Sequence, residues 1–191
     1  CAMIESAVKE ALKKCKLSED IFNVVQGVNP QITHWLASNP DIQAIGFTGS
    51  EAVGRILIKI SSEREVPIPV FAEMGSLNPV FITKAAIAER SAELAKGLVD
   101  SALLGSGQFC TKPGLIFVPN GASGFLDEIA DYLATLKVGP LLSASIAKRY
   151  SKAITEIAAS GAVKVLTGQE NDSGFGVTPT LFITDWATAQ K

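Results

Sequence analysis

Apolar residues recur along this chain with two spacings, one typical of helices and the other of buried strands. From Met3 to Cys15 they return every three or four positions, with charged residues on the opposite side, which predicts an amphipathic helix. Further helices are predicted over residues 30–38, 50–62, 85–104, 123–136 and 143–160. The inner face of the helix at 50–62 is predicted to consist of Val53, Ile56, Leu57 and Ile60.

Short apolar runs between these helices, rich in β-branched residues, predict strands. They lie at residues 21–25, 42–47, 67–73, 79–83, 114–118, 163–166 and 179–183. The run at 67–73 is almost wholly apolar, as expected of a strand that is buried on both faces. Because strands and helices alternate and such crossovers are right-handed, the first three strands predict a parallel sheet.

This alternation predicts an α/β protein with three layers, αβα. Residues 1–74 read as half of a Rossmann-like, doubly wound nucleotide-binding domain. After Gly75 the pattern restarts, and Gly75-Ser76 lies between two strand patterns, which favours a domain boundary there. Residues 75–191 would then form a second α/β domain.

Composition excludes several classes of protein. The 191 residues carry 17 Lys+Arg and 19 Asp+Glu, for a net charge of −2. Because basic and acidic residues are interspersed, no footprint for nucleic acid or an anionic membrane is expected, and no apolar run is long enough to span a bilayer. The three cysteines are an odd number and favour a reducing, cytoplasmic location without disulfides. The chain begins with Cys1, and we expect both ends to be cuts in a longer protein.

The first candidate site is the segment Phe47-Thr48-Gly49-Ser50, which ends a strand and opens a helix, with Gly54 one turn later. A helix N-terminus at the carboxyl end of a parallel strand suits a phosphate, because its backbone N–H groups are unpaired. The alternative is that the Ser50 hydroxyl merely caps its own helix.

The second candidate is Glu73, at the carboxyl end of an apolar strand. We expect partial desolvation of this carboxylate, which would suit a general base. The structural alternative is a glutamate that pairs with a lysine or caps the next helix.

The third candidate is Cys110, in a segment with glycines on both sides between a long helix and a strand. Most free cysteines are inert small hydrophobes, and Cys15 fits that description because it completes a helical stripe. No apolar stripe passes through Cys110, and the nearby Lys112 would favour its thiolate. His34 is predicted to be structural, and no spacing of cysteines and histidines predicts a metal site.

Taken in order, the three sites resemble the aldehyde dehydrogenase superfamily. The resemblance rests on Phe47-Thr48-Gly49-Ser50, Glu73-Met74-Gly75-Ser76-Leu77-Asn78-Pro79 and Gly107-Gln108-Phe109-Cys110-Thr111. The residues of the last two motifs are most similar to those of 2-oxoglutarate semialdehyde and NADP-dependent long-chain aldehyde dehydrogenases. The commoner family sequence of the second motif is Glu-Leu-Gly-Gly-Lys-Asn-Pro.

The resemblance implies a role for each matching position. Cys110 would be the nucleophile and Glu73 the general base, with NAD or NADP as the cofactor and a small aldehyde as the substrate. Residues at the cofactor would be Phe47, Thr48, Gly49, Ser50, Gly54, Met74 and Gly75. Phe109 and Thr111 would line the substrate tunnel, and Asn78 would hold the turn near the nucleophile.

The resemblance also implies that the two domains, the C-terminal part of an NAD(P)-binding domain and the N-terminal part of a catalytic domain, are both incomplete. Family motifs that supply the second oxyanion donor and both ribose contacts have no counterpart here. The chain alone is therefore expected to have little NAD(P)-linked turnover and to self-associate as a homo-oligomer or to belong to a longer chain. Two alternatives stay open: a non-catalytic remnant of the fold, and a dehydrogenase that acylates coenzyme A, against which Glu73 argues.

Overall fold

The computed structural model describes residues 1–161 and 164–189. It divides into two compact units, Cys1–Met74 and Gly75–Lys191. The helices are α1 (Ala2–Lys14), α2 (Pro30–Ser38), α3 (Glu51–Ser62), α4 (Lys84–Leu103), α5 (Ser123–Ala134), α6 (Ala144–Ala159) and α7 (Trp186–Ala189). The strands are β1 (Ile45–Thr48), β2 (Val70–Glu73), β3 (Pro79–Phe81), β4 (Leu115–Phe117), β5 (Lys164–Thr167) and β6 (Thr180–Ile183).

In the first unit, β1 and β2 form a parallel pair in which Ile45 lies opposite Val70 and Thr48 opposite Glu73. Helix α3 packs against both α2 and β2. Helix α2 begins where the sequence predicts because the Asn29 side chain accepts a hydrogen bond from the Gln31 N–H at 2.9 Å. The parallel pairing predicted from the alternation of strands and helices is thus confirmed for β1 and β2.

The strand predicted at residues 21–25 is wrong. The structure describes all of these residues, and they form the end of a 3-10 turn (Glu19–Ile21) followed by irregular chain. The Val24 N–H donates to the Glu5 carboxylate at 3.4 Å instead of to a neighbouring strand, and Val25 is exposed. β-Branched composition favours extended backbone, but a strand forms only where a neighbouring strand pairs its N–H and C=O groups.

Two predictions of buried helix faces also need correction. Cys15 is exposed, and none of the residues of α1, all of which are described, is buried. In α3, the predicted inner residue Leu57 is buried and Ile60 is half-buried, but Val53 and Ile56 are exposed. The buried positions of this helix are Gly54, Leu57 and Ser61. Two of these three buried residues, Gly54 and Ser61, have small side chains, and at Gly54 the helix lies close to Met74. The spacing of apolar residues in the sequence does not reveal a helix face of this kind.

In the second unit, β3 and β4 form another parallel pair, and β5 and β6 form an antiparallel pair. Helices α4 and α5 pack against each other. The core comprises Ala95, Leu98, Val99, Phe125, Ile129, Leu133 and Leu166. Val80 and Ile116 pack against this core from β3 and β4, whereas Phe81 and Phe117 stack on each other at 4.6 Å between ring centroids.

The α/β class is confirmed, with the strands of the described ranges arranged in three two-stranded sheets. Most predicted boundaries lie within three residues of the observed ones, and the turn at Leu104–Gly107 and helix α7 were not predicted. The first residue of the strand predicted at 163–166 lies outside the described residues. Across the described ranges, no helix is long and apolar enough to cross a membrane.

Candidate active site

Cys110 lies in the second unit, on the loop between α4 and β4, and its side chain is exposed. Three consecutive residues before it have left-handed backbone angles: Gly105, Ser106 and Gly107, with φ of 58°, 59° and 73°. Glycine adopts these angles without cost, but Ser106 does not. The loop is therefore a defined turn that needs further contacts to hold its shape.

Side chains from residues 76–78 supply contacts on one side of Cys110. The Asn78 amide nitrogen donates to the carbonyl oxygens of Cys110 at 2.7 Å and of Lys112 at 3.0 Å. The Ser76 hydroxyl also donates to the Cys110 carbonyl. Asn78 itself has a φ of 43°, in the left-handed region that asparagine tolerates better than most residues. The expectation that Asn78 holds the turn near Cys110 agrees with these contacts.

Backbone contacts reinforce the same side. The Gly114 N–H donates to the Leu77 carbonyl at 2.8 Å, so the two segments run close together. A Cβ at position 114 would lie only 2.9 Å from that carbonyl oxygen. Glycine at 114 is therefore required for the close approach.

Sequence reasoning missed the contacts on the other side of Cys110. The Gln108 side chain accepts from the Leu142 N–H at 2.9 Å and donates to the Gly105 carbonyl at 3.1 Å. The Ser106 hydroxyl donates to the Gly139 carbonyl at 3.1 Å. The one available signal was the presence of these polar residues among the glycines of the motif.

The side chains next to Cys110 are exposed or contact their own loop. Phe109 is half exposed, and its ring lies against Gly105. Thr111 is exposed. The Lys112 ammonium donates to the Pro113 carbonyl at 3.4 Å. A substrate-lining role for Phe109 and Thr111, and an effect of Lys112 on the thiol, stay predictions.

The segment Phe47-Thr48-Gly49-Ser50 lies in the first unit, where β1 ends at Thr48 and α3 begins at Glu51. Among the described residues, the Ser50 hydroxyl makes no capping hydrogen bond to its own helix. The self-capping alternative for Ser50 is thus wrong. The Glu51 carboxylate, in the first turn of the helix, pairs with the Arg55 guanidinium at 2.6 Å. Thr48, Gly49 and Ser50 are exposed at the start of the helix.

Beneath this turn, side chains pack closely around two glycines. A Cβ at Gly54 would lie 2.5 Å from Met74 Sδ, and a Cβ at Gly49 would lie 2.5 Å from Phe47 Cζ. Gly54 is buried, so the structure gives it a packing role, and its contact with a cofactor stays a prediction. Gly75, at the start of the second unit, has open space around the position of a Cβ.

Glu73 ends β2 in the first unit, and its carbonyl accepts from the Gly49 N–H at 3.1 Å. Its side chain is exposed, so the expected desolvation is wrong for this chain: β2 has a neighbour on one edge only within the described ranges. The structural alternative also fails, because Glu73 makes no ion pair or capping bond among the described residues. Glu73 and Cys110 belong to different units, and their pairing stays a prediction.

Two clusters of charged side chains have shifted pKa values, and both lie away from the predicted site residues. In the second unit, the hydrogen bond from Lys96 at 2.6 Å lowers the pKa of Asp100, and that from the Tyr132 hydroxyl at 2.7 Å lowers it further. The hydrogen bond to Asp100, and then the interaction of Lys96 with Tyr132, raise the pKa of Lys96. In the first unit, Lys9 lowers the pKa of Glu5. All of these are contacts at the protein surface, either within one helix or between two elements.

Two open depressions in the second unit do not include Cys110 in their lining. One, of about 760 Å³, is lined by residues 137–140 and 171–173, and the other, of about 420 Å³, lies beside Tyr150 and Gly176. The buried Asn171 amide donates to the Val138 carbonyl at 2.7 Å, so its polar group is paired. Within the described part of the chain, no three His, Cys, Asp or Glu side chains come close enough to hold a metal.

The fold and the order of the motifs define the class of protein: an α/β protein with an exposed cysteine on a loop that hydrogen bonds hold in place. Comparison with known proteins assigns the family. The family model described as "Aldehyde dehydrogenase family" matches residues 2–188. The chain belongs to the aldehyde dehydrogenase family, and the prediction of the family is confirmed.

Individual relatives agree with this assignment. The chain is 40% identical over 150 residues to α-ketoglutaric semialdehyde dehydrogenase 2 of Azospirillum brasilense, covering 78% of this chain and 29% of that protein. It is 32% identical over 186 residues to α-ketoglutaric semialdehyde dehydrogenase of Acinetobacter baylyi, covering 96% and 35%. The chain thus spans about a third of the length of these curated relatives.

Solved structures show the same fold. Glyceraldehyde-3-phosphate dehydrogenase GapN of Methanocaldococcus jannaschii, complexed with NADP, superposes with a TM-score of 0.82 at 22% identity, covering 97% of this chain and 41% of that one. Proline utilization A of Bradyrhizobium japonicum gives a TM-score of 0.74 at 26% identity, covering 83% and 17%.

Proposed function

We propose that this chain is the nucleophile-bearing part of an NAD(P)-dependent aldehyde dehydrogenase that oxidises an aldehyde to a carboxylic acid. The observation that carries the proposal is the Cys110 loop. Its cysteine is exposed, while the carbonyl of the same residue accepts hydrogen bonds from the Ser76 and Asn78 side chains. The preceding turn is held by its own Gln108 side chain, which accepts from the Leu142 backbone N–H. A nucleophile must be accessible and yet held in one orientation, and this loop meets both requirements.

In the proposed reaction, the Cys110 thiolate attacks the carbonyl carbon of the aldehyde. A carbon–sulfur bond forms, and the carbonyl π electrons move to the oxygen to give the oxyanion of a thiohemiacetal. The backbone N–H of Cys110 would donate to that oxygen, and one such donor is typically worth about 10²–10³ in rate. Loss of a hydride from the thiohemiacetal then leaves a thioester on Cys110.

The turn at residues 47–50 fits the phosphates of a nicotinamide cofactor. Gly49 has no side chain to block approach, and the exposed Ser50 hydroxyl is not used as a helix cap among the described residues. NAD or NADP bound there would supply the oxidant by accepting the hydride. Gly49 and Ser50 would bind the pyrophosphate, and Gly75 would leave room beside the nicotinamide.

Glu73 would complete the cycle as a general base. It would remove a proton from a water molecule, and that water would attack the thioester carbon so that the carbon–sulfur bond breaks and Cys110 leaves as the thiolate. An exposed carboxylate without an ion-pair partner among the described residues is available for this role. Its presence also disfavours transfer of the acyl group to coenzyme A.

The names of the two curated relatives suggest the first substrates to test. Both are described as acting on α-ketoglutaric semialdehyde, so we propose a small aldehyde with a carboxylate group as the substrate class. A further proposal is that the chain works in an oligomer or a longer polypeptide. Large apolar side chains such as Met3, Trp35 and Phe71 are exposed by 65% or more.

Acylation by an activated ester, p-nitrophenyl acetate, tests the nucleophile without any cofactor. Cys1, Cys15 and Cys110 are all exposed, so accessibility alone predicts similar labelling of the three. Peptide mapping is expected to find the acetyl group on Cys110 well before Cys15. Equal acetylation of both would favour the non-catalytic remnant and would contradict the proposal.

A further inference from the structure

We propose that Ser76 is a positioning residue for Cys110, an inference that rests on the proposed function of Cys110 as the nucleophile. The Ser76 hydroxyl donates to the Cys110 carbonyl oxygen. The Asn78 amide nitrogen lies 2.7 Å from the same oxygen and 3.0 Å from Ser76 Oγ. The two side chains and the carbonyl thus form a closed set of hydrogen bonds at the peptide that follows the nucleophile.

The number of donor protons near the Cys110 carbonyl shows what the Ser76 hydroxyl contributes. The Asn78 amide has two donor protons, and its nitrogen lies within hydrogen-bond distance of three acceptors: the Cys110 carbonyl, the Lys112 carbonyl and Ser76 Oγ. The Ser76 hydroxyl supplies a third proton and directs it to the Cys110 carbonyl. Without that hydroxyl, Asn78 alone must hold both carbonyls of the loop.

Fixing this carbonyl affects the thiol through the backbone. Two donors on one carbonyl oxygen fix the plane of the peptide between Cys110 and Thr111, and this plane restricts rotation about the adjoining bond of Cys110. The direction of the Cα–Cβ bond is then set relative to residues 76–78, which limits the sulfur to the staggered positions about that bond. Ser76 is exposed and contributes nothing to the core, so its loss should alter the loop and leave the second unit folded.

The test uses the 191-residue chain with two substitutions at Ser76 and one matched control. Ser76→Ala removes the hydroxyl, and Ser76→Thr keeps it. The control is Ser151→Ala, because Ser151 is also an exposed serine of the second unit whose hydroxyl donates to a backbone carbonyl, that of Ala147 at 3.1 Å. The measured quantity is the rate constant for alkylation of Cys110 by iodoacetamide, divided by that of Cys15 in the same sample.

We expect Ser76→Ala to lower this ratio by about three- to tenfold, the range for one neutral hydrogen bond, and Ser76→Thr to restore it. Ser151→Ala should leave it unchanged. An unchanged ratio in Ser76→Ala, or a ratio in Ser76→Thr as low as in the alanine variant, would overturn the role of Ser76 while the proposed function stands. If the unaltered chain alkylates Cys110 no faster than Cys15, the proposed function itself fails, and the role of Ser76 fails with it.

Discussion

The loop of Cys110 and the turn at residues 47–50 are both exposed, but they are held in different ways. Asn78, Ser76 and Gln108 make hydrogen bonds that tie the loop to other segments of the second unit. The turn, in contrast, is held by backbone pairing and by packing beneath it, and among the described residues the hydroxyls of Thr48 and Ser50 make no hydrogen bond. The loop is thus fixed by side-chain hydrogen bonds, whereas the turn has hydroxyl groups that are unpaired among the described residues.

This difference matches what the two regions are proposed to do. A nucleophile gains rate from being fixed before the substrate arrives, because the cost of ordering it is already met during folding. A phosphate site gains from donors that are not already used within the protein, because each would otherwise have to give up a hydrogen bond. Substitutions in the two regions should therefore have different consequences.

The largest effect is expected from Cys110→Ser. A serine hydroxyl is a weak nucleophile at neutral pH, so acetylation by p-nitrophenyl acetate should fall by about a hundredfold or more. The burst of p-nitrophenolate measured in a stopped-flow absorbance experiment reports this step. Cys15→Ser is the matched control and should keep the burst, whereas a burst that survives in Cys110→Ser would place the reactive group elsewhere.

Asn78 should give the next largest effect. Asn78→Ala removes the donors to two carbonyls and places alanine at a φ of 43°, so the second unit should lose about 1–3 kcal/mol of unfolding free energy. Asn78→Gly removes the same donors but tolerates the backbone angle, and should recover about 1 kcal/mol of that loss. Urea denaturation measures both variants, and equal stability of the unaltered chain and Asn78→Ala would show that the loop does not depend on these bonds.

In the first unit, substitutions at Gly54 and Ser50 should reduce stability by different amounts. Gly54→Ala places a Cβ 2.5 Å from Met74 Sδ, and overpacking typically costs about 1–3 kcal/mol. Alanine recovers about 0.5–1 kcal/mol of helix propensity inside α3, so we expect a net loss of about 1–2 kcal/mol. Ser50→Ala should cost less than about 0.5 kcal/mol, because the hydroxyl is not used as a cap. Denaturation midpoints compare the two, and a loss in Ser50→Ala as large as that typical of a removed N-cap, about 1 kcal/mol, would show that the hydroxyl is already used within the protein.

The smallest effect concerns pH and the surface pair of Asp100 and Lys96. Since the folded-state pKa of Asp100 is lowered by Lys96 and Tyr132, its stabilisation is present above the unfolded pKa of about 4 and is lost as pH falls through the folded value. Asp100→Asn should therefore be less stable than the unaltered chain at pH 7. The two should converge in acid, and a gap that persists at pH 2 would argue against an electrostatic origin.

How much of the structure the sequence predicts depends on how far apart along the chain the interacting residues lie. Helix α2 is predicted with its observed bounds, since Asn29 and Pro30 are local start signals. The strand predicted at 21–25 fails because pairing depends on a distant partner. The inner face of α3 is partly misplaced because the buried Gly54 and Ser61 are not hydrophobic, and Gly54 faces inward against Met74.

The candidate site follows the same rule. Cys110, Glu73 and the turn at 47–50 stand out in the sequence because motifs are local. The ties from Gln108 to Leu142 and from Ser106 to Gly139 join residues more than 30 positions apart, so only the folded chain reveals them. Desolvation of Glu73 was inferred from its apolar strand, but an exposed strand end does not provide it.

The most direct test of the central claim, that Cys110 is acylated and Glu73 frees it, is the rate at which acetyl-Cys110 is hydrolysed. The unaltered chain and Glu73→Gln are acetylated with p-nitrophenyl acetate, and loss of the acetyl group is followed by mass spectrometry, with Glu65→Gln as a control at another exposed glutamate. If Glu73 is the general base, we expect an equal burst in all three and hydrolysis about a hundredfold slower in Glu73→Gln only, the lower end of general-base contributions. Equal hydrolysis rates in Glu73→Gln and the unaltered chain would contradict the claim.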